Sequence, residues 1–267
     1  MITYPFSYHR AKSVAEAEAL LAGAADGKLL AGGQTLIAAM KMRLAQPSDL
    51  VDISGIAELS FVRRSGNALV IGAGTRHADV AGSADVAAAI PALAALAGSI
   101  GDPAVRHMGT LGGSLANNDP AADYTAAALA LGATIRTSRN SIAADEFFTG
   151  MFSTALEEGE IVTEASFPVP ARAGYAKFPN PASRYAMVGV FVAQFADGAR
   201  VAVTGAGPCV FRVPEMEAAL GAKFAPDAVA KIAVPADGLN GDIHGSAGYR
   251  AHLVTVMAKR AVEAALE

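Results

Sequence analysis

Cysteine is almost absent from this sequence, because Cys209 is the single cysteine among 267 residues. One cysteine cannot form an intramolecular disulfide, and it cannot supply the ligands of a four-cysteine iron–sulfur cluster or a zinc cage. The histidines are scattered and form no HExxH motif, and no serine lies in a GxSxG motif. We therefore predict no catalytic residue and no metal site here, and expect any metal chemistry of a working enzyme on another chain.

Long apolar runs and basic clusters are also missing. No hydrophobic run reaches the roughly 18–20 residues of a membrane-spanning helix. The first residues, MITYPFSYHRAKS, lack the cationic and apolar segments of a secretion signal. The formal net charge is -4, which argues against nucleic acid as the main partner. These absences predict a soluble cytoplasmic protein without a membrane span.

The pattern that is present interleaves helices and strands without a regular βαβ repeat, which predicts the α+β class. Ser13 starts a capping box that predicts a helix at 13–22, and the pair Asp119-Pro120 predicts a helix from 120 to 131. Four prolines within 168–183 indicate extended chain and a domain boundary. Further helices are predicted at 36–44, 85–99, 214–220 and 246–266, and strands at 28–31, 50–53, 69–71, 188–195 and 200–204.

The first segment that could bind a ligand is 29–36, LLAGGQTL, which lies between a predicted strand and a predicted helix. Paired glycines allow positive φ and a close approach of the backbone to a ligand. Successive N–H groups can then bind a pyrophosphate, and the helix N-terminus adds a favourable potential. Gln34 and Thr35 can add side-chain hydrogen bonds. For an isolated pair of glycines, a simple strand-to-helix turn is the alternative interpretation.

A second segment, GTLGGS at 109–114, repeats this arrangement of paired glycines and hydroxyl residues. Asp123 follows it in the first turn of a predicted helix, where the helix dipole stabilises a carboxylate. This carboxylate can accept hydrogen bonds from ribose or ribityl hydroxyls, or it can be an ordinary acid at a helix start. The two segments together suit a long ligand with a central diphosphate better than either does alone.

A third glycine pattern, LVIGAG at 69–74, resembles the start of a Rossmann fingerprint. His77 occupies the position of the third glycine, and no acid for a ribose follows about 20 residues later. We interpret this segment as a strand followed by a turn.

Four blocks of the chain, in order, resemble the FAD-binding medium subunits of molybdenum hydroxylases. This family includes the medium subunits of carbon monoxide dehydrogenases and, more distantly, the FAD domain of xanthine dehydrogenase. The resemblance covers almost the full length, which makes it far more specific than either glycine segment. The blocks are AGGQTLIAAMKMRLAQPSDLVDIS (31–54), IGDPAVRHMGTLGGSLANNDPAADYTAAALALGA (100–133), DEFFTGMFSTALEEGEIVTEASFP (145–168) and DIHGSAGYRAHLVTVMAKRAVEAA (242–265).

The resemblance implies a bipartite FAD-binding fold of the vanillyl-alcohol-oxidase (PCMH) type, followed by a small C-terminal α+β domain. The implied units are two FAD-binding subdomains, 1–55 and 56–170, and the C-terminal domain, 171–267. Lys177 matches a family lysine placed before the first strand of the third domain. Tyr185 matches an aromatic residue that lies against the flavin ring, although an ordinary strand tyrosine is the alternative. In full, the implied FAD contacts are Leu30, Ala31, Gly32, Gly33, Gln34, Thr35, Leu36, Ile100, Thr110, Leu111, Gly112, Gly113, Ser114, Asp123, Lys177 and Tyr185.

Three residues depart from the family pattern. Arg184 stands where an acid is usual, Gln34 replaces the histidine of the carbon monoxide branch, and Ser114 stands where asparagine is common. These departures weaken any assignment of carbon monoxide as the substrate. They leave FAD binding intact, because backbone amides and glycines supply most contacts to the diphosphate.

The resemblance implies an electron relay. A large partner carries the molybdenum cofactor, a small partner carries [2Fe-2S] clusters, and FAD on this chain passes their electrons to a final acceptor. The implied assembly is a dimer of heterotrimers. Two alternatives stay open: a self-contained flavin oxidase or reductase of the same fold, and a flavin-free scaffold. Bleaching of the flavin by substrate without partners would identify the first, and failure to bind FAD would identify the second.

Overall fold

The computed structural model describes residues 2–267. Among these residues, none of the helices has both the length and the hydrophobicity of a transmembrane segment. The strands are β1 (Ser7–Arg10), β2 (Gly27–Leu30), β3 (Asp49–Asp52), β4 (Val62–Ser65), β5 (Ala68–Gly72), β6 (Thr134–Thr137), β7 (Ser141–Ala143), β8 (Phe148–Gly150), β9 (Ser153–Thr154), β10 (Val162–Pro168), β11 (Arg172–Pro179), β12 (Ala186–Phe195), β13 (Gly198–Thr204) and β14 (Phe211–Arg212). The helices are α1 (Val14–Gly23), α2 (Leu36–Lys41), α3 (His77–Gly82), α4 (Ala84–Ala89), α5 (Pro91–Gly98), α6 (Pro103–Arg106), α7 (Leu111–Asn117), α8 (Asp123–Ala130), α9 (Ala144–Phe147), α10 (Pro214–Ala222), α11 (Pro226–Val229) and α12 (Ala247–Leu266), with a 3-10 turn at Ala57–Leu59.

The N-terminal part of the chain forms a three-stranded parallel sheet in the order β1-β3-β2. Parallel strands need crossover connections, and α1 and α2 lie in the two connections. The predicted start of α1 is confirmed, because Ser13 Oγ accepts the N–H of Glu16 at 3.2 Å. Glu16 in turn accepts the N–H of Lys12 at 2.8 Å. The sheet carries the first glycine segment at the carboxyl end of β2.

The middle of the chain forms a five-stranded antiparallel sheet in the order β4-β5-β10-β6-β7. Helices α3, α4 and α5 share an apolar core with it, which includes Ile71, Val86 and Leu93. Pro91 starts α5 as a separate helix after α4, as its fixed φ and missing N–H predict. Gly72 ends β5 and accepts a turn hydrogen bond from Thr75, so the third glycine pattern is a strand and turn, as predicted.

The C-terminal part forms a four-stranded antiparallel sheet in the order β11-β12-β13-β14. Successive side chains of a strand point to opposite faces, and strand β12 is buried on both of its faces. Val190 and Val192 pack with α10 and α12, whereas Phe191 and Ala193 join the core of the middle sheet. Helix α8 contacts β12 and β13, and all its residues are buried. It therefore joins the C-terminal sheet to the rest of the molecule.

The start of α8 differs from the sequence prediction, which placed it at Pro120. The carbonyl oxygen of Pro120 accepts hydrogen bonds from Thr204 Oγ1 at 2.9 Å and from the N–H of Gly205 at 2.7 Å. The carboxylate of Asp119 accepts the N–H of Ala121 in a tight turn. These contacts hold 119–122 outside the helix, so α8 begins at Asp123.

Candidate functional site

A cleft of about 750 Å³ lies where the N-terminal sheet, the middle sheet and the turn between β11 and β12 meet. Clefts of this size accommodate organic cofactors. Leu30, Leu111 and Lys177 do not line it: Leu30 lies beneath Gly33, Leu111 is fully buried in the core, and Lys177 lies behind Asp123. The other residues that the family resemblance selected all line the cleft: Ala31, Gly32, Gly33, Gln34, Thr35, Leu36, Ile100, Thr110, Gly112, Gly113, Ser114, Asp123 and Tyr185.

The two glycine segments approach each other closely inside this cleft. A Cβ atom on Gly32 would lie 2.2 Å from the carbonyl oxygen of Met108 and 2.7 Å from the Cα of Gly109. Both contacts are with backbone, which cannot move aside as a flexible side chain can. A Cβ atom on Gly113 would lie 3.9 Å from the Cβ of Ala31. The missing side chain at Gly32 therefore permits the contact between the two segments.

The first glycine segment offers unpaired backbone donors to the cleft. Gly33 has a φ of 70°, in the left-handed region that glycine adopts without strain. Within residues 2–267, the N–H groups of Gly32, Gly33, Gln34 and Thr35 donate no hydrogen bond to a protein acceptor. Consecutive free N–H groups around a left-handed residue form a concave site for anions. This segment can therefore bind the negatively charged oxygens of a diphosphate.

The glycines of the second segment do not offer free backbone N–H groups as the first segment does, contrary to the sequence interpretation. These glycines form the first turn of α7, and Thr110 Oγ1 caps that turn by accepting the N–H of Gly113 at 3.2 Å. The N–H groups of Leu111 and Gly112 donate to the carbonyl oxygens of Thr75 and Ala73, just after β5, at 3.0 and 2.8 Å respectively. These donors are not available to a ligand. The segment instead contributes a close backbone wall and the polar side chain of Ser114, and Asn117 at the end of α7 also lines the cleft.

The third wall of the cleft is the turn that connects β11 and β12. Asn180 Oδ1 accepts the N–H groups of Ala182 and Ser183, and the N–H of Asn180 donates to the carbonyl oxygen of Tyr185 at 2.8 Å. This closed turn holds Tyr185 at the cleft with its side chain half exposed. Partial burial and the nearby acidic residues raise the pKa of Tyr185, so its ring stays a neutral phenol.

Asp123 is the buried acid of the cleft, with 5% of its surface exposed. Lys177 Nζ lies 3.0 Å from Oδ1, and the hydroxyl of Tyr175 donates to the same oxygen. Lys177 also donates to the carbonyl oxygen of Ser99 at 2.9 Å, at the end of α5. Burial raises the pKa of Asp123, and the charge of Lys177 opposes this effect. The structure thus ties α5, α8 and β11 together beside the cleft.

Two details of this network differ from the sequence analysis. Lys177 lies within β11, the first strand of the C-terminal sheet, and not before that strand. The sequence patterns and the family resemblance did not indicate Tyr175. The spacing could have indicated it, because Tyr175 and Lys177 are two residues apart and therefore face the same side of a strand.

His77 is the buried histidine of the cleft, with 5% of its surface exposed. Burial and then the charge of Arg106 lower its pKa to about 4. The ring lies 5.3 Å from that of Tyr124, centroid to centroid. Among the described residues, His77 Nδ1 and the Tyr124 hydroxyl have no hydrogen-bond partner. His77 is therefore neutral at physiological pH.

This lowered pKa predicts a loss of stability in acid. As the pH falls below 6.5, the usual pKa of histidine, the unfolded chain takes up a proton that folded His77 accepts only near pH 4. The stability is thus complete above 6.5 and decreases down to about 4, by about 3 kcal/mol in total. We expect His77→Phe to remove this part of the pH dependence in urea titrations. His252→Gln, at an exposed site on α12, should keep it, and an unchanged pH slope in His77→Phe would contradict the assignment.

Comparisons with known proteins identify the family of this chain. Residues 4–170 match the family described as FAD binding domain in molybdopterin dehydrogenase. The carbon monoxide dehydrogenase medium chain of Hydrogenophaga pseudoflava is 38% identical, over 99% of this chain and 98% of that protein. The nicotine 6-hydroxylase medium subunit of Paenarthrobacter nicotinovorans is 36% identical, over 96% and 95%.

The solved structures give the same result. A chain of quinoline 2-oxidoreductase from Pseudomonas putida 86 superimposes with a TM-score of 0.91 at 30% identity, over 100% of this chain and 99% of that chain. The mixed arrangement of helices and strands is therefore shared along the whole length. The chain belongs to the family of FAD-binding domains of molybdopterin dehydrogenases.

Proposed function

We propose that this chain is the FAD-carrying medium subunit of a molybdenum-dependent hydroxylase and relays electrons from partner iron–sulfur clusters to a final acceptor. The observation that carries this proposal is the contact between the two glycine segments. It places the free N–H groups of 32–35 in a cleft large enough for a dinucleotide. The family match and the likeness to medium subunits along the full chain support the same function.

The residues of the cleft fit FAD part by part. The N–H groups of Gly32 to Thr35 can bind the diphosphate, Asp123 can accept a hydrogen bond from a hydroxyl, and Tyr185 offers an aromatic face. When bound, FAD supplies the capacity to exchange electrons singly or in pairs. The protein's own task is to orient the cofactor and to shield it from water. No proton transfer by a side chain of this chain is needed for a relay.

The partners follow from the family and from the single cysteine. Relatives along the full length are named medium chains or medium subunits, which supports a large molybdenum-cofactor subunit and a small iron–sulfur subunit as partners. Cys209 alone cannot hold a [2Fe-2S] cluster with four cysteines. The dimer of heterotrimers and the cytoplasmic location stay predictions. The names of the relatives range from carbon monoxide to nicotine and quinoline enzymes, so we propose no substrate.

We also propose the division into FAD-binding subdomains at 1–55 and 56–170 and a C-terminal domain at 171–267, with a PCMH-type arrangement of the first two. The sheets support this division, because the parallel sheet ends at Asp52, the five-stranded sheet extends from Val62 to Pro168, and the C-terminal sheet begins at Arg172. The cleft between the first two sheets supports the bipartite arrangement.

The function is tested with the purified chain, FAD and its partners. We expect the chain to bind one FAD, seen as a flavin absorption spectrum after removal of free cofactor. Candidate substrates should leave this flavin oxidised in the isolated chain and bleach it under anaerobic conditions in the complete complex. Failure to bind FAD would contradict the proposal. Bleaching of the isolated chain by an organic substrate would indicate a self-contained oxidase or reductase instead.

A further inference from the structure

The two carboxylate oxygens of Asp123 have different surroundings. Oδ1 receives both protein donors, from Lys177 Nζ at 3.0 Å and from the hydroxyl of Tyr175. Among residues 2–267, no other residue donates a hydrogen bond to Oδ2, and Asp123 itself lines the cleft. A carboxylate can accept about four hydrogen bonds. The protein therefore occupies one oxygen and leaves the other for a ligand.

The C-terminal sheet fixes Tyr175 in the position that this arrangement needs. Tyr175 pairs with Phe191 across the strands β11 and β12, and their rings lie 6.1 Å apart. Lys177 pairs with Gly189 in the same register. A Cβ atom on Gly189 would lie 2.5 Å from the Tyr175 hydroxyl oxygen. The glycine thus leaves the space in which this hydroxyl reaches Asp123.

We propose that Tyr175 is a positioning residue for the cofactor: its hydroxyl and the ammonium of Lys177 hold Oδ1 of Asp123, so that Oδ2 accepts a hydrogen bond from a cofactor hydroxyl. This inference rests on the proposed function, because it requires FAD in the cleft. Tyr175 lies in the C-terminal sheet, outside 4–170, the residues that match the FAD-binding family model. Tyr175 acts through Asp123 and does not line the cleft.

The test is a double-mutant cycle on FAD affinity, with Tyr175→Phe, Asp123→Asn and the double variant in the full-length chain. Tyr175→Phe keeps the ring that packs against Phe191 and removes only the hydroxyl. We expect it to raise the Kd for FAD about tenfold, which is the loss of one hydrogen bond to a charged group. The double variant should bind FAD no more weakly than Asp123→Asn alone, because an oriented carboxylate no longer exists there. A purely structural role would instead make the two losses add.

The matched control is Tyr8→Phe. The Tyr8 hydroxyl also donates to a carboxylate, Asp52 Oδ2, at 2.5 Å, but neither residue lines the cleft. Its FAD affinity should equal that of the wild type. Gly189→Ala provides a second variant, because its Cβ displaces the Tyr175 hydroxyl without changing a residue of the network, and it should weaken FAD binding as well.

The outcomes separate the two proposals. Wild-type affinity in Tyr175→Phe, or additive losses in the double variant, would overturn the positioning role while FAD binding by the wild type keeps the proposed function. A wild-type chain that binds no FAD would remove both. Unfolding of the FAD-free variants by urea shows whether each one is folded. If Tyr175→Phe does not fold, the FAD affinity of a folded Gly189→Ala variant tests the positioning role, and wild-type affinity there would overturn it.

Discussion

Replacement of Gly32 by alanine is expected to weaken FAD binding strongly. The new Cβ would lie 2.2 Å from the carbonyl oxygen of Met108, so the two glycine segments must separate. Overpacking of this kind costs about 1–3 kcal/mol, which corresponds to roughly 5- to 150-fold in affinity if it falls on the bound state. Isothermal titration of the purified variant with FAD measures this loss.

Gly82→Ala is the matched control for this variant. Gly82 ends α3, and a Cβ atom there would meet nothing within 4 Å. Its FAD affinity should not differ from that of the wild type. If Gly32→Ala bound FAD with wild-type affinity, the contact between the segments would not be what shapes the cofactor site, and the proposed function would lose its main support.

Replacement of Lys177 by methionine is expected to destabilise the folded chain strongly. Methionine keeps most of the side-chain volume but leaves Asp123 buried without its counter-charge, and such a change costs about 3–5 kcal/mol. The pKa of Asp123 is already raised by burial above its usual 3.8, so the folded carboxyl takes up a proton before the unfolded one does. The loss should therefore be larger at about pH 8 than at about pH 5. Urea denaturation at both pH values measures it.

Two variants control for the loss of a lysine as such. Lys223→Met breaks an exposed ion pair with Asp227, in which both side chains are mostly exposed, and it should cost less than about 1 kcal/mol. Adding Asp123→Asn to Lys177→Met removes the unpaired charge and should restore part of the stability. A small, pH-independent loss in Lys177→Met would mean that Asp123 is not a buried anion paired with this lysine.

The backbone geometry of the first glycine segment is the feature of the cleft that depends most on local sequence. Its donors lie in consecutive residues, 32–35, and depend only on a strand, a left-handed glycine and a helix start. The second segment has a similar sequence but a different role. The N–H groups of Leu111 and Gly112 donate to the carbonyl oxygens of Thr75 and Ala73. These acceptors lie more than 30 residues earlier in the chain and come near only through the fold.

The C-terminal contribution to the site was the hardest part to predict. Lys177 was selected through the family resemblance alone, and Tyr175 was not selected. Both act on Asp123, about 50 residues earlier in the chain, across the contact of β11 with α8. The start of α8 was misplaced for a related reason, because Thr204 and Gly205 bind the carbonyl oxygen of Pro120 and keep it out of the helix.

The amino-acid sequence by itself determined the mixed class of helices and strands, the family, the absence of a four-cysteine metal site and the glycines at which backbone must approach backbone. These properties depend on residue type and on spacings within one or two turns of chain. The tertiary structure alone decided which N–H groups stay free for a ligand and which oxygen of Asp123 is left to accept a hydrogen bond. Each polar group bonds to whatever partner the fold brings near, and those partners lie far away in the sequence.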